Sequence, residues 1–196
     1  MLFFPYKAFG KLCIFLGSFS LLTACVPIAL LIGTGTGTDI ATQERGVKGT
    51  FKDVEIRSQI DAAFLQKSHI LFSNISIAVQ DGRVLLTGSV LTSKTRAEAI
   101  TLVKHIEGVK TVFDEIKIGA PKSFGNETND TWISTKARSE LIAMEGIHSN
   151  NYSVTTFNGV VYLMGIAQNN QELDHAIQVV KTIKGVQKVV SHMTIK

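Results

Sequence analysis

The second half of the chain repeats the first half at a constant offset of 77 residues, without a gap. The recurring glycines are Gly82, Gly88 and Gly108 in the first copy and Gly159, Gly165 and Gly185 in the second. Apolar positions recur in step with them, as in Val84 and Val161, Leu86 and Leu163, and Val103 and Val180. Because glycines and apolar positions repeat, and residue types that carry chemistry do not, the pattern favours a duplicated small domain that binds or scaffolds over an enzyme.

Each copy of roughly 70 residues is long enough to fold alone, and its pattern predicts the order helix, strand, strand, helix, strand. In the first copy, Asp53 is predicted to cap the first helix, and Asp81-Gly82 to form a two-residue hairpin turn that Asn158-Gly159 repeats. The other predicted elements of the first copy are strands at 75–79, 84–90 and 112–118 and a second helix at 93–107, ended by Gly108.

A strand, helix, strand connection places the last strand parallel to the second strand of the hairpin. The predicted fold class is therefore α+β, with two tandem αββαβ domains. Each domain is a sandwich of a three-stranded mixed sheet with two helices on one face. The other face of each sheet is left for the two copies to pack on each other.

The first 24 residues predict an export signal, because Lys7 and Lys11 precede an apolar run and small residues lead to Cys25. Leu22-Thr23-Ala24-Cys25 resembles the bacterial lipobox, in which cleavage before the cysteine leaves it to carry lipid. The alternative is a retained membrane anchor, since residues 12–33 are 22 residues without a charge. Val26 follows the cysteine where an aspartate would favour inner-membrane retention, so the resemblance implies the outer membrane.

Cysteine and charge counts exclude several classes of site. The one other cysteine, Cys13, lies inside the predicted signal, so the mature chain is predicted to have no disulfide, thiolate metal site or cysteine nucleophile. Without the two signal lysines the net charge falls from +4 to +2, which does not favour nucleic acid as a partner.

The five histidines show no metal-ligand spacing. No catalytic residue, metal site or cofactor is predicted apart from the covalent lipid on Cys25, and a hydrolase would need a convergent polar cluster that the sequence does not show.

Two motifs carry a family resemblance. Gly82-x-Val84-x-Leu86-x-Gly88 and its copy from Gly159 to Gly165, each followed by a helix ending Ile-x-Gly-Val, resemble the BON domain. With the lipobox and the stretch at 129–133, the chain resembles the dual BON-domain outer-membrane lipoproteins. The predicted organisation is a signal peptide at 1–24, a lipidated Cys25 with a flexible tether at 25–50, BON domains at 51–119 and 130–196, and a linker at 120–129. The resemblance implies a module that binds phospholipid or protein surfaces, supports envelope integrity and localises to the division site.

The two copies differ at one informative position, where Glu55 of the first copy is replaced by Trp132, the one tryptophan of the chain. At about 100° per residue, Trp132 points roughly 140° away from the predicted buried arc of its helix. That arc consists of Ile133, Ala137, Leu141 and Met144. The residues predicted to share the exposed side with Trp132 are Lys136, Ser139 and Ala143. An exposed indole beside a lysine is suited to shallow insertion at the headgroup level; alternatively, Trp132 packs against the linker or the first domain.

Two functions follow from these observations. The resemblance implies that the second domain binds anionic phospholipid, such as phosphatidylglycerol or cardiolipin, through the Trp132 helix. Because few cations contribute, the affinity is expected to be modest and sensitive to salt. The alternative is a scaffold or regulator of an outer-membrane assembly machine, in which Trp132 contacts protein. The first domain, which lacks the tryptophan, is expected to be structural or to meet protein partners.

Overall fold

The structure, a computed structural model, describes residues 46–120 and 124–196. The predicted signal peptide, Cys25 and most of the tether lie outside these residues. Within the two described ranges, no helix combines the length and the hydrophobicity that crossing a bilayer requires.

Both domains have the predicted α+β organisation. The elements of the first are α1 (Gly46–Lys67), α2 (His69–Asn74), β1 (Ile75–Gln80), β2 (Arg83–Val90), α3 (Ser93–Lys104) and β3 (Thr111–Ile118). Those of the second are α4 (Phe124–Ala143), a 3-10 turn (Ser149–Asn151), β4 (Tyr152–Phe157), β5 (Val160–Ala167), α5 (Asn170–Lys181) and β6 (Lys188–Ile195). In each sheet the second strand is central, antiparallel to the first strand and parallel to the third. The short helix α2 was not predicted from the sequence.

The prediction that Asp53 caps a helix is wrong. Helix α1 begins at Gly46, so Asp53 lies inside it. Its buried carboxylate instead accepts hydrogen bonds from the backbone N–H groups of Asp81 and Gly82, at 2.8 and 3.0 Å. The hairpin turn holds both residues at positive φ, 54° and 72°, and a buried acceptor satisfies the backbone groups that this turn leaves unpaired.

Asp130 repeats this arrangement in the second domain. Its carboxylate accepts from the N–H groups of Asn158 and Gly159, at 2.6 and 2.8 Å. Helix α4 begins at Phe124, so helical residues occupy much of the segment at 120–129 that was predicted as a linker. The first helix of each domain therefore extends before its aspartate, and the aspartate ties the helix to the hairpin.

The helices of each domain pack on one face of its sheet. Ile133, Ala137 and Leu141 are buried as predicted, whereas Met144 is 37% exposed, contrary to the prediction. The reason is that α4 ends at Ala143, so the helical spacing no longer governs the direction of the next side chain. Other core residues are Ile56, Ile60, Phe64, Val84, Leu86 and Val103 in the first domain and Val154, Val161, Leu163, Ala176 and Val180 in the second.

The other faces of the two sheets pack against each other. The buried residues of this interface are Leu85, Phe157, Tyr162 and Met164, with Ala78, Phe113, Val160 and Val190 partly buried around them. The molecule therefore has four layers, in which the two sheets are central and the helices of the two domains cover opposite outer faces. Fully burying each large apolar side chain contributes about 1.5–3 kcal/mol, so this interface joins the two domains into one unit.

Polar contacts fix the alignment of the two sheets. Arg83 donates from Nη2 to the carbonyl oxygen of Gly165 at 2.9 Å and from Nη1 to that of His192 at 3.3 Å. Gln80 donates from Nε2 to the carbonyl oxygen of Asn151 at 2.6 Å. Because these acceptors belong to the second domain, the contacts hold it in one orientation relative to the first.

Candidate functional site

Helix α4 presents the predicted site residues to solvent. The Trp132 side chain is 49% exposed and lies on the helix beside the fully buried Ile133. Lys136, Ser139 and Ala143 are exposed as well. Their spacing of four, seven and eleven residues from Trp132 puts all four side chains along one side of the helix. The structure thus brings the tryptophan, a cation and two small residues into one strip.

The strip has one feature that limits its positive charge and one that extends its apolar area. The ammonium group of Lys136 forms an ion pair with Glu140, one helical turn later. At the end of the helix, Ile142 is 70% exposed and adds an aliphatic side chain to the surface. The strip therefore offers an amphipathic tryptophan and apolar area, with a cation that is already paired.

Glu172 is a buried carboxylate in the first turn of α5, a position where an acidic side chain ordinarily complements the helix dipole. Its oxygens accept hydrogen bonds from the backbone N–H groups of His148 and Gln168, both at 2.8 Å, and from the Tyr152 hydroxyl at 3.0 Å. Burial alone would raise the pKa of this carboxyl, but these hydrogen bonds to the ionised form lower it below its ordinary value. Glu172 therefore links α5, β4 and the loop before β4, which is a structural role.

Burial and the hydrogen bond to Glu172 raise the pKa of the Tyr152 hydroxyl. Two described histidines have a carboxylate partner: His148, whose ring Nδ1 lies 3.4 Å from Glu172 Oε2, and His192, which contacts Glu115 at the domain interface. In the described part of the chain, no three histidine, cysteine, aspartate or glutamate side chains are grouped as metal ligands would be.

Helix α1 carries an exposed apolar stripe that was not singled out from the sequence. Phe51, Val54 and Leu65 are 63%, 61% and 54% exposed. They lie on the side of the helix opposite the buried Ile56 and Ile60. The sequence contained this information, because these apolar residues fall outside the helical spacing of the buried residues. The second copy has Thr128 and Thr131 at the positions of Phe51 and Val54, so these two apolar residues are not part of the repeated core pattern.

Comparison with known proteins identifies the repeated unit. A model of the BON domain matches residues 52–120 and again residues 129–196. The chain is 40% identical over 143 residues to an uncharacterized protein in the gshII 5' region of Anaplasma centrale, covering 69% of this chain and 95% of that one. It is 29% identical over 181 residues to the outer membrane lipoprotein DolP of Haemophilus influenzae, covering 92% and 93%. It is also 32% identical over 144 residues to a 21 kDa hemolysin of Actinobacillus pleuropneumoniae, covering 72% and 74%.

Proposed function

The chain belongs to the BON-domain family, and from this premise we propose that it is a non-enzymatic, lipid-anchored protein of the outer membrane that binds anionic phospholipid through its second domain. The observation that carries the proposal is that Trp132 is half-exposed on the outer side of α4. It does not belong to the hydrophobic core of the second domain. Similarity to an outer membrane lipoprotein over nearly the whole chain supports the anchor at Cys25 and the periplasmic face of the outer membrane.

An exposed tryptophan on a rigid helix suits a bilayer surface. The indole carries a large apolar area together with one N–H donor, so it is stable at the boundary between acyl chains and water. Ile142 adds apolar area on the same helix, and Lys136, although paired with Glu140, places an ammonium group near the headgroups. The proposed contact is therefore shallow and lies along the outer side of α4.

The anchor makes a weak contact sufficient. A surface cation contributes about 1 kcal/mol next to an anionic membrane, so the second domain alone is expected to bind modestly and to lose affinity as salt is added. Acyl chains on Cys25 would confine the domain to the membrane, where a high local concentration compensates for modest affinity. The headgroup contact then determines where in the membrane the protein accumulates, and we propose the division site and a role in envelope integrity on that basis.

Tryptophan emission tests the proposal directly, because Trp132 is the one tryptophan in the chain. Residues 46–196 contain both cores and their interface and can be used without the anchor. We expect a blue shift on adding vesicles that contain phosphatidylglycerol or cardiolipin, reversal by salt, and no shift with phosphatidylcholine alone. Emission that is unchanged by anionic vesicles would contradict lipid binding through Trp132.

Vesicle sedimentation provides the matched comparison. Trp132→Ala is expected to weaken binding to anionic vesicles about tenfold, which corresponds to about 1.4 kcal/mol. Glu55→Ala changes the equivalent residue of the first domain and is expected not to weaken binding. In cells, a fluorescent fusion that carries Trp132→Ala is expected to lose enrichment at the septum; retained enrichment would separate localisation from lipid binding.

A second function, as a scaffold or regulator of an outer-membrane assembly machine, is favoured by the apolar stripe on α1. Phe51, Val54 and Leu65 lie on the outer face opposite that of α4, so they stay accessible when α4 lies on the membrane. A photo-crosslinker at Val54 is expected to capture a protein in intact cells, whereas one at the equivalent Thr131 is not. Equal yields at the two positions would argue against a protein site on the stripe.

A further inference from the structure

The first domain contains a cleft of about 460 Å³ between α1 and the loops at the hairpin turn and after α3. Its lining residues include Lys52, Glu55, Gln59, Asp81, Glu107 and Lys110. Within the cleft, Lys110 forms an ion pair with Asp81 at 3.1 Å. The cleft shows that helix positions 52, 55 and 59 face the same space as loop positions 107 and 110.

The corresponding loop of the second domain lies against its helix in the same way. A Cβ placed on Gly108 would lie 3.1 Å from Cδ1 of Ile56, and a Cβ on Gly185 would lie 3.2 Å from Cδ1 of Ile133. The same Gly185 position lies 3.7 Å from Nδ2 of Asn129. The loop after α5 therefore packs on the N-terminal half of α4, next to the turn that carries Trp132.

The residues at this place have changed in charge between the two copies. The counterparts of the six cleft residues are Asn129, Trp132, Lys136, Asn158, Lys184 and Gln187. We call this set the α4–loop site. The charge count leaves out Asp53 and Asp130, because the carboxylate of each is hydrogen-bonded to its own hairpin turn. The formal charge of these six positions is then −1 in the first copy, with two lysines and three carboxylates, and +2 in the second, where Glu140, outside the set, pairs with Lys136 and leaves one lysine uncompensated.

Lys184 is the cation of this site that is available to a ligand. It is exposed, and within residues 46–120 and 124–196 it has neither an ion pair nor a hydrogen bond from its side chain. Lys136, in contrast, is paired with Glu140. Lys184 also replaces an acidic residue, Glu107, so this single position changes the local charge by two units.

We infer that the headgroup phosphate of an anionic phospholipid binds at the α4–loop site, between Trp132 and Lys184, and that Lys184 is its main cationic contact. The inference rests on the proposed function and specifies where on the second domain the headgroup binds. The indole inserts beside the headgroup while the ammonium meets the phosphate, so apolar and ionic contacts converge on one lipid. Ser139, Ala143 and Ile142, farther along α4, contact the surrounding surface and are not the phosphate site.

The test is a charge reversal with a matched control. Lys184→Glu restores the residue type of the first domain and is expected to weaken binding of residues 46–196 to phosphatidylglycerol vesicles about tenfold or more, since each surface charge contributes about 1 kcal/mol, or about fivefold. Lys181→Glu makes the same change on an exposed residue of α5 whose counterpart, Lys104, does not line the cleft. It is expected to cost at most a few-fold. Lys184→Gln, which removes one charge only, should weaken binding about fivefold.

The outcomes separate this inference from the proposed function. If the unmodified protein does not bind anionic vesicles, the proposed function fails and this inference with it. If it binds in a Trp132-dependent manner but Lys184→Glu and Lys181→Glu weaken binding equally, the α4–loop site alone is overturned. Calorimetric titration with inorganic phosphate is expected to give no binding, and a Lys184-dependent signal there would assign the site to a free phosphate instead of a lipid.

Discussion

Glu115 and His192 occupy the same position in the two copies, 77 residues apart, and their side chains meet across the domain interface, where His192 Nε2 donates to Glu115 Oε1 at 3.1 Å. The His192 ring also stacks on Phe113, with 4.2 Å between ring centroids. A second equivalent pair, Leu85 and Tyr162, lies in the same interface cluster. Contact between equivalent residues is the property of a two-fold interface, so the duplicated domains pack as the two halves of a symmetric dimer would.

The Glu115 and His192 contact is expected to stabilise the pairing of the two sheets. In a symmetric dimer this position would face its own copy, whereas the duplicated chain places an acceptor opposite a donor. Alanine at either position is expected to lower the free energy of unfolding by about 1–3 kcal/mol, because the partner is left partly buried without its hydrogen bond. Urea unfolding of both single variants and the double variant should show a coupling of about 1 kcal/mol.

Glu145→Ala, an exposed residue after α4, serves as the control and should change stability by less than about 0.5 kcal/mol. Additive effects of the two interface substitutions would contradict a direct interaction between Glu115 and His192.

The buried aspartates are expected to be structural in both domains. Asp130→Ala removes the acceptor of two backbone N–H groups in the hairpin turn, and we expect a loss of about 1–3 kcal/mol in the free energy of unfolding. Asp53→Ala should behave alike, because its two contacts are equivalent. Thermal unfolding measures both; a loss well below 1 kcal/mol at either position would show that water satisfies the turn as well as the carboxylate does.

The repeated glycines explain why so much of the fold was predictable from the sequence. A Cβ on Gly88 or Gly165 would lie 2.1 or 2.0 Å from the carbonyl oxygen of Asn74 or Asn151. Both glycines also have φ values, 131° and 149°, that favour glycine. Requirements of this kind are local, so they leave a direct mark in the sequence. The strand order was also predictable, because a helix that connects two parallel strands permits few topologies.

Other features depended on tertiary contacts that no local pattern encodes. Asp53 was predicted from the sequence to cap a helix. Its actual hydrogen-bond partners, in the hairpin turn, lie 28 residues away, so local spacing does not indicate them. The exposure of Trp132 could be predicted from helical spacing. The relevance of Lys184 could not, because it depends on how the loop after α5 packs against α4.

Stability of the second domain is expected to depend on pH through Glu172. The pKa of this carboxyl is lower in the folded protein than its ordinary value of 4.5. The unfolded chain therefore takes up the proton first as pH falls. The stabilisation is fully present above about pH 4.5 and is lost as pH falls through the lowered folded pKa.

Urea unfolding as a function of pH measures this dependence, with Glu172→Gln as the variant that lacks the ionisable group. The variant is expected to be less stable at neutral pH and to lose less stability on acidification than the unmodified protein does. Parallel pH profiles for the two proteins would show that Glu172 does not contribute to the acid dependence.

Transfer of the α4–loop site to the first domain is the most demanding prediction. Glu55→Trp and Glu107→Lys together change the charge of the cleft from −1 to +2, equal to that of the second domain, and place a tryptophan at the same helix position. In a Trp132→Ala background, the new tryptophan reports on the first domain alone. We expect its emission to shift to the blue with phosphatidylglycerol vesicles, and the shift to be reversed by salt.

Glu55→Trp without the lysine leaves the cleft with no net positive charge and is expected to give a much weaker response. Equal responses from the two variants would mean that the indole suffices and that the cation at the position of Lys184 does not select the headgroup.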